Sequence, residues 1–445
     1  MTDYSVKACL SDVETATLAG PRRHKSYTKP LYAMLKNSIT MKNKILLLLL
    51  TSIFLSSCLN DVKQKENSLT AQNQTEQFEL LANGKLRYLE LSGTPYERGL
   101  THGKALKKEI QEVISLFKKD IAETTQEDPD VFIAKFLEQT DYKTSVQKWT
   151  PELMKELQGI SEGSGIDLET IFMHQLGDEY WFNTKDVLAH SCSSFGVNKS
   201  NDNPSITAQN MDIPEFYHGF QTVIKINDPN SDKETMVLTI PGHLGITGMN
   251  NKSVSINCNT LMQLDYAKTG LTVTFVVIGV LDKNTQQEAL NFVNEVNHAS
   301  GQNYIIGGSE KVYSLECSAN KVVEFRPFEN SIFTYHTNHP MSNTDYNSKF
   351  LEALKKGNVT IEEVEKEEFR CQRIKSFQER FNENTTNIEI EEIKNVLRSR
   401  DNESGDVVSN NSTYASVIYE LSKKPKFIIA PGKPHEETYI EIDFN

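Results

Sequence analysis

At residue 192 the chain changes its hydrophobic period, and any fold must accommodate that change. Before it, Leu100, Ala105, Leu106, Ile110, Val113, Ile114 and Phe117 recur at near-helical spacing with lysines and glutamates between them. Thr94-Pro95 supplies an N-cap and a first-turn proline for that helix. Further helices are predicted over 131–140, 151–163 and 168–177, behind a short strand at 86–91. From Cys192 onward the pattern becomes short runs of period two: 192–198, 206–210, 220–227, 235–240, 246–249 and 253–259. A helix at 285–298 and strands at 311–317 and 322–327 follow. Charged helices at 362–382 and 388–398, then strands at 415–421, 426–431 and 438–443, close the chain. A helical preface, a block of strands, a helix block and returning strands fit a layered α+β domain around an antiparallel sandwich.

The N-terminus carries an address rather than a fold. Met41-Lys42-Asn43-Lys44 and the apolar run 45–55 form a basic n-region and a short h-region. The run is too short for a membrane-spanning helix, which needs about twenty apolar residues. It ends in Leu55-Ser56-Ser57-Cys58, which resembles a bacterial lipobox, so Cys58 is the expected lipid attachment site. Residues 1–57 then read as an upstream extension and lipoprotein signal peptide, and 58–77, polar and poor in apolar residues, as a flexible tether. One catalytic domain is expected over 78–445, with localisation at the bacterial cell envelope through the N-terminal lipid. A net charge of −13, more acidic still without the leader, argues against nucleic-acid partners.

Cys192 is the residue in which chemistry concentrates. Cys258 and Cys317 fall inside strand-like runs and Cys371 in a charged helix, so these three read as structural. Cys192 instead opens a strand amid small polar residues, with Asp212 twenty residues on. That order suggests a nucleophile released by self-cleavage, whose freed α-amine becomes the base for its own thiol. Strand-turn-strand spacing would bring Asp212 back to hold that amine by a charge-assisted hydrogen bond. Asn259 and Asn338 are candidate oxyanion donors. Neither a zinc site nor a cofactor is expected: no His-Glu-x-x-His occurs, and His336 and His339 lie on no evident helix. Gly159-Ile160-Ser161-Glu162-Gly163 matches a nucleophile elbow in letters only, because a helix precedes it where a strand is needed.

Four stretches together resemble the autoproteolytic acyltransferases and hydrolases related to fungal isopenicillin-N acyltransferase. They are the segment 93–103, the Cys192–Phe195 to Gln209–Asp212 segment, Asn257-Cys258-Asn259-Thr260-Leu261 and His336-Thr337-Asn338-His339. Ala430-Pro431-Gly432-Lys433-Pro434 is similar to the family's C-terminal strand turn, and the likeness spans roughly 86–445. It implies a four-layer αββα N-terminal-nucleophile hydrolase fold. It also implies cleavage between Ser191 and Cys192, giving fragments 78–191 and 192–445 that stay associated. Carried over by position, Cys192 is the nucleophile and Asp212 the acid that orients its amine. Asn259 and Asn338 match the oxyanion and amine-positioning asparagines. An arginine near the nucleophile falls on Arg370, with Arg373 as the alternative. Ser191 departs from the glycine often found before the nucleophile. The activity expected is cleavage or transfer of an acyl group from a small amide or thioester substrate through a Cys192 acyl-enzyme. A choloylglycine-type amidase and a non-catalytic binding lipoprotein are the competing readings.

Overall fold

Thr94 opens the helical part of the chain through a reciprocal pair of bonds. Its hydroxyl accepts from the Glu97 N–H, and the Glu97 carboxylate accepts from the Thr94 N–H at 2.8 Å. The computed structural model describes residues 78–184, 192–200, 203–366, 371–402 and 405–444. After β1 (Glu79–Leu81) and β2 (Leu86–Ser92) come α1 (Pro95–Ala105), α2 (Lys107–Thr125), α3 (Pro129–Glu138), α4 (Tyr142–Trp149), α5 (Pro151–Ser164), α6 (Leu168–His174) and α7 (Gly177–Thr184). The spacing predicts one helix from Pro95 through Phe117. The structure breaks it at Leu106, whose φ of −110° and ψ of 25° leave the helical range. The break lets α1 lie flat on α5 while α2 turns Ile110, Val113, Ile114, Phe117 and Ile121 into the core.

The α1–α5 contact is made backbone to backbone. A Cβ on Gly99 would stand 1.9 Å from the Glu156 carbonyl oxygen, and one on Gly159 would stand 2.2 Å from that of Tyr96. Only glycine permits this approach. Arg98 pairs with the buried Glu156 at 2.7 Å across the same interface. Buried charge of that kind is tolerated because each partner neutralises the other.

The strands form two sheets. β3 (Ser193–Val197), β4 (Ser205–Asp212), β5 (Thr222–Asn227), β6 (Glu234–Thr239), β7 (Thr247–Asn250), β8 (Ser255–Thr260), β9 (Gln302–Gly307), β10 (Val312–Cys317), β11 (Val322–Phe325), β12 (Phe333–His336), β13 (Thr413–Leu421), β14 (Lys426–Ala430) and β15 (Ile440–Asp443) complete the set among the described residues. The nine-stranded sheet runs β1-β2-β5-β6-β7-β8-β9-β10-β11, and the six-stranded sheet runs β12-β3-β4-β13-β14-β15. Every pair is antiparallel except β2 with β5, where Arg87 to Ser92 lie alongside Thr222 to Asn227.

The sheets pack face to face through β3 and β4 against β8 and β9. Polar side chains stitch this seam. Thr207 meets Ser255 at 2.7 Å, Gln209 Nε2 donates to the Cys258 carbonyl, and Ser194 Oγ donates to Asn259 Oδ1. Helices cover both outer faces. α8 (Val273–Leu281) and α9 (Gln286–Glu295) lie on β7 to β9. α6 and α7 join that layer, where Gln175 holds Gly242 and Leu244, and Glu179 accepts from the Val273 N–H. The other side carries α12 (Gln372–Gln378) against β12 and α13 (Ile390–Leu397) against β4. There Phe195 stacks on Phe377 at 5.7 Å, and Tyr335 stacks on the same ring at 5.5 Å. The architecture is therefore α+β in four layers, αββα.

Two differences from the sequence reading have plain causes. α8 is apolar nearly all round, so it lacks the 3.6-residue signature that marks an amphipathic helix. The predicted helix over 362–382 is two short ones, α11 (Ile361–Val364) and α12, with residues 367–370 outside the described set; α10 (Ser348–Gly357) precedes them. Among the described residues no helix is long and apolar enough to cross a membrane. Cys58 and Ser191 lie outside the described residues.

The glycine contact yields a first prediction. Gly159→Ala should destabilise the protein by about 3 kcal/mol or more, because two helix backbones must part. Gly357→Ala, whose new Cβ meets nothing nearer than 3.6 Å, should shift stability by less than about 1 kcal/mol. Urea unfolding of the two variants measures the contrast, and equal effects would refute the tight interface.

Candidate active site

The β3–β4 hairpin fixes where Cys192 stands. Ser193 pairs with Asn210, so the residue before Ser193 falls beside Met211 and Asp212. The Cys192 Sγ lies 3.4 Å from both the N and the O of Asp212 and 3.9 Å from Met211 Sδ. The sequence reading ends the strand at Asn210; it continues through Asp212, which pairs with Thr413 of β13. Asp212 Oδ2 accepts from Asn410 Nδ2, while Oδ1 is buried with no hydrogen-bond partner. Burial pushes the Asp212 carboxyl up to about 7. Burial, helped by the Asp212 charge, pushes the Cys192 thiol up to about 12.

Arg373, at the start of α12, reaches the same point from the other side. Its Nη1 donates to the Cys192 carbonyl oxygen and, at 3.1 Å, to Ser193 Oγ. Nη2 reaches Asn338 Oδ1 at 3.4 Å, and Nε donates to Asp406 at 2.7 Å. Arg370 lies outside the described residues; the arginine that the structure places beside Cys192 is Arg373. Asp406 also accepts from the Gln372 N–H at 2.6 Å, which anchors the first turn of α12.

Asn338 belongs to a loop that Glu316 holds. The Glu316 carboxylate accepts from the backbone N–H groups of Met341, Ser342 and Asn343 at 2.6, 2.9 and 2.6 Å. His336 Nε2 donates to it at 2.8 Å. Asn338 Nδ2 in turn donates to the Thr260 carbonyl at 3.0 Å. Glu316 is thus a positioning group that the sequence did not single out, since a lone glutamate in a strand carries no local signal. Among the described residues no group of three or more His, Cys, Asp or Glu side chains is placed to hold a metal ion.

Strand alternation decides the role of β8. Asn259 faces the inter-sheet seam, where its Oδ1 accepts from Ser194 Oγ and, at 3.3 Å, from Asn303 Nδ2. Its own Nδ2 is buried without a partner. Cys258 and Thr260, one residue to either side, turn the opposite way. They line a cavity shared with Cys192, Asp212, His174, Asp178 and Trp181, with a free volume of about 70 Å³. Cys258, which the sequence reads as structural, is buried in the core and also fronts the cavity of Cys192.

Two acids at the start of α7 were also missed. Asp178 Oδ2 accepts from Thr260 Oγ1 and Gln302 Nε2, both at 2.7 Å, and burial raises its pKa. Glu179 accepts from Ser300 Oγ at 2.7 Å, and burial, then the Asp178 charge, lifts it to about 8. The sequence reading ends a helix at Gly177, whereas the structure starts α7 there, so the two acids carried no signal as first-turn residues.

The model of the acyl-coenzyme A:6-aminopenicillanic acid acyl-transferase family matches residues 197–433, more than half of the chain. The chain belongs to this family. It is also similar to the 40 kDa form of acyl-coenzyme A:6-aminopenicillanic-acid-acyltransferase of Emericella nidulans, with 23% identity over 60% of this chain and 73% of that one. Among solved structures it resembles the Caenorhabditis elegans ortholog of N-acylethanolamine-hydrolyzing acid amidase, at 18% identity and a TM-score of 0.37, covering 52% of this chain and 92% of that one. A mutant form of the conjugated bile acid hydrolase of Clostridium perfringens matches at 14% identity and a TM-score of 0.36, over 57% of this chain and 92% of that one. Family membership makes this chain an enzyme of the acyl-transfer type.

Asp212 gives a prediction in stability. An acid whose folded pKa is raised keeps a proton that the unfolded chain has already lost. Its contribution is full below the ordinary value of 3.8 and is lost as pH rises through about 7. In a Cys192→Ala background, the Asp212 protein should lose up to about 4 kcal/mol of unfolding free energy relative to Asp212→Asn between pH 4 and 8. Denaturant unfolding at a series of pH values checks this, and parallel curves would contradict it.

Proposed function

We propose that the chain is a self-processing cysteine enzyme. It cuts its own backbone between Ser191 and Cys192, then cleaves or transfers an acyl group from an amide or thioester through a Cys192 thioester. One juxtaposition carries the reading: the Cys192 thiol at the head of β3 lies against Asp212, whose Oδ1 is buried without a partner. Lipid attachment at Cys58 would tether this chemistry to the bacterial envelope.

Before processing, the Cys192 nitrogen is a peptide nitrogen and the thiol, held near 12, is almost wholly protonated at neutral pH. Asp212, held near 7, is the acid poised to take its proton. Sγ attacks the Ser191 carbonyl carbon, Asp212 passes the thiol's proton to the departing Cys192 nitrogen, and the C–N bond breaks to leave a thioester and a free α-amine. Water then hydrolyses that thioester to a Ser191 carboxylate, releasing the thiol. Asp212 Oδ1 is the acceptor for the new ammonium group, and Asn338 with Arg373 holds the backbone around it.

In turnover the amine takes the thiol proton, and the thiolate adds to the substrate carbonyl. The developing oxyanion needs donors with no other commitment. Asn259 Nδ2 meets that condition, its carbonyl being fixed by Ser194 and Asn303 while its N–H groups stay unpaired. This places the oxyanion on the seam side of Cys192, next to Ser194, and not in the cavity that Cys258 and Thr260 front. Asn338 is less suited, since its Nδ2 already donates to Thr260. The amine returns its proton to the leaving nitrogen, which departs. Water as the next acceptor gives hydrolysis, and an amine gives acyl transfer.

Intact mass and N-terminal sequencing should find two fragments, the second beginning at Cys192. Cys192→Ala should stay as one chain and turn over no amide, and a single-chain wild type with full activity would sink the proposal. Cleavage of freshly refolded protein should accelerate as pH rises through about 7 and then level off, and Asp212→Asn should lose that rise. Asn259→Ala should lower kcat by about 10²–10³ with little change in substrate binding. Because it also removes the seam bonds to Ser194 and Asn303, thermal unfolding is measured beside the kinetics. An unchanged kcat would move the oxyanion role elsewhere.

A further inference from the structure

His174, the last residue of α6, is the odd group in the cavity of Cys192. Its side chain is buried to 2% exposure among the rings of Phe117, Tyr217 and His243, at 5.4, 6.0 and 5.6 Å. It lines the same cavity as Cys192 and Asp212. Neither ring nitrogen makes a hydrogen bond. The Gly242 carbonyl stands near enough to one of them to favour its proton, but that oxygen is already held by Gln175 Nε2 at 2.9 Å. The second nitrogen faces no partner at all. A neutral imidazole with a proton toward Gly242 presents its other nitrogen as an acceptor.

The neighbouring histidines are not in this position. His243 has both nitrogens engaged, with Nδ1 accepting from the Gly245 N–H at 3.3 Å and Nε2 meeting Thr274 Oγ1 at 3.1 Å. His102 Nε2 accepts from the Gly242 N–H at 3.0 Å. His174 therefore keeps, in the wall of the cavity, an acceptor that the protein itself leaves unused; both nitrogens are covered, so a turn of the ring is needed to present it to a ligand. Leaving such a buried group unpaired is unfavourable unless something enters to pair with it.

We propose that His174 is a specificity-determining residue, accepting a hydrogen bond from a hydroxyl carried on the acyl part of the substrate. The inference rests on the acyl-transfer reading of Cys192. The acyl part is the portion concerned for a chemical reason. It stays bonded to the thiol while the first amine leaves and the acceptor arrives, so a cavity beside the thiol suits it. The apolar lining from Ile240, Val273 and Val277 fits its hydrocarbon, and one acceptor at His174 asks for one donor. A ketone or ether oxygen, having no proton, would leave His174 as unpaired as before. A hydroxyl satisfies it.

The test uses p-nitroanilides of octanoic acid, of its 3-, 5- and 7-hydroxy derivatives, and of the matching oxo derivatives. Wild-type enzyme should favour one hydroxy isomer over octanoyl by about tenfold in kcat/KM, and should show no such preference for the oxo compound at that position. His174→Phe should bring that ratio close to one while still turning over the octanoyl compound. His174→Gln, which keeps an acceptor, should retain part of the preference. Thermal unfolding of each variant shows that the fold is kept. Equal rates for all wild-type substrates, or a preference that survives His174→Phe, would overturn the assignment and leave His174 satisfied by water alone. Absence of any Cys192-dependent turnover across the whole set would instead sink the acyl-transfer reading, and this inference with it.

Discussion

The Arg373 guanidinium is the interaction on which the site depends. Its exposure is 1%, and its donors are spread over the Cys192 carbonyl, Ser193 Oγ, Asn338 Oδ1 and the Asp406 carboxylate. A guanidinium buried this deeply is tolerable only with a paired carboxylate and directed acceptors. Its planar fork also fixes directions, which a lysine in the same place could not do. One side chain thereby locks together the head of β3, the loop after β12 and the first turn of α12. Those three pieces are remote in sequence, and no sheet hydrogen bond joins the last of them to the others.

A second constraint is the polar seam between the sheets. Face-to-face sheets usually interdigitate apolar side chains. Here Ser194, Thr207, Gln209, Ser255 and Asn259 meet in the middle and bond one another or a facing backbone. Hydrogen-bonded polar contacts demand a defined register, so they hold β3 against β8 at fixed height where apolar contacts would allow sliding. The layer on the far side of the nine-stranded sheet is apolar by contrast, as the buried run of α8 shows. Apolar packing fills the outside of each sheet, and directional bonding aligns the inside.

Much of this was legible because it is local. Thr94-Pro95 with Glu97 announces a capped helix within four residues, and the Cys192–Asp212 hairpin follows from alternation on either side of a turn. What escaped depends on tertiary partners. The kink at Leu106 arises because α1 must reach the glycines of α5, and nothing within α1 itself requires it. The turn of Cys258 away from the seam and toward the cavity is a matter of strand phase, which a run such as Ser255-Ile256-Asn257-Cys258-Asn259-Thr260, buried on both faces, does not reveal. Arg370 and Arg373 lie one helical turn apart in the sequence, so composition cannot choose between them. Arg370 lies outside the described residues; Arg373 is placed by α12, with Cys371 as the N-cap of that helix and Asp406 holding its first turn. Glu316 acts through three backbone N–H groups, and backbone donors leave no trace in a sequence.

The order of strands in the six-stranded sheet has a consequence for timing. β4 is sandwiched between β3 and β13, and Asp212 pairs with Thr413 some two hundred residues later. Asn410, Asp406 and Arg373 likewise come from the last quarter of the chain, whereas Cys192 emerges before its midpoint. On the ribosome the thiol is therefore made long before the groups that orient it. Pairing at such separation is slow because a long loop must close first. On the proposed reading, Arg373, Asp406 and Asn410 would complete the surroundings of Cys192 only after most of the chain had been made, so the topology would act as a completion check.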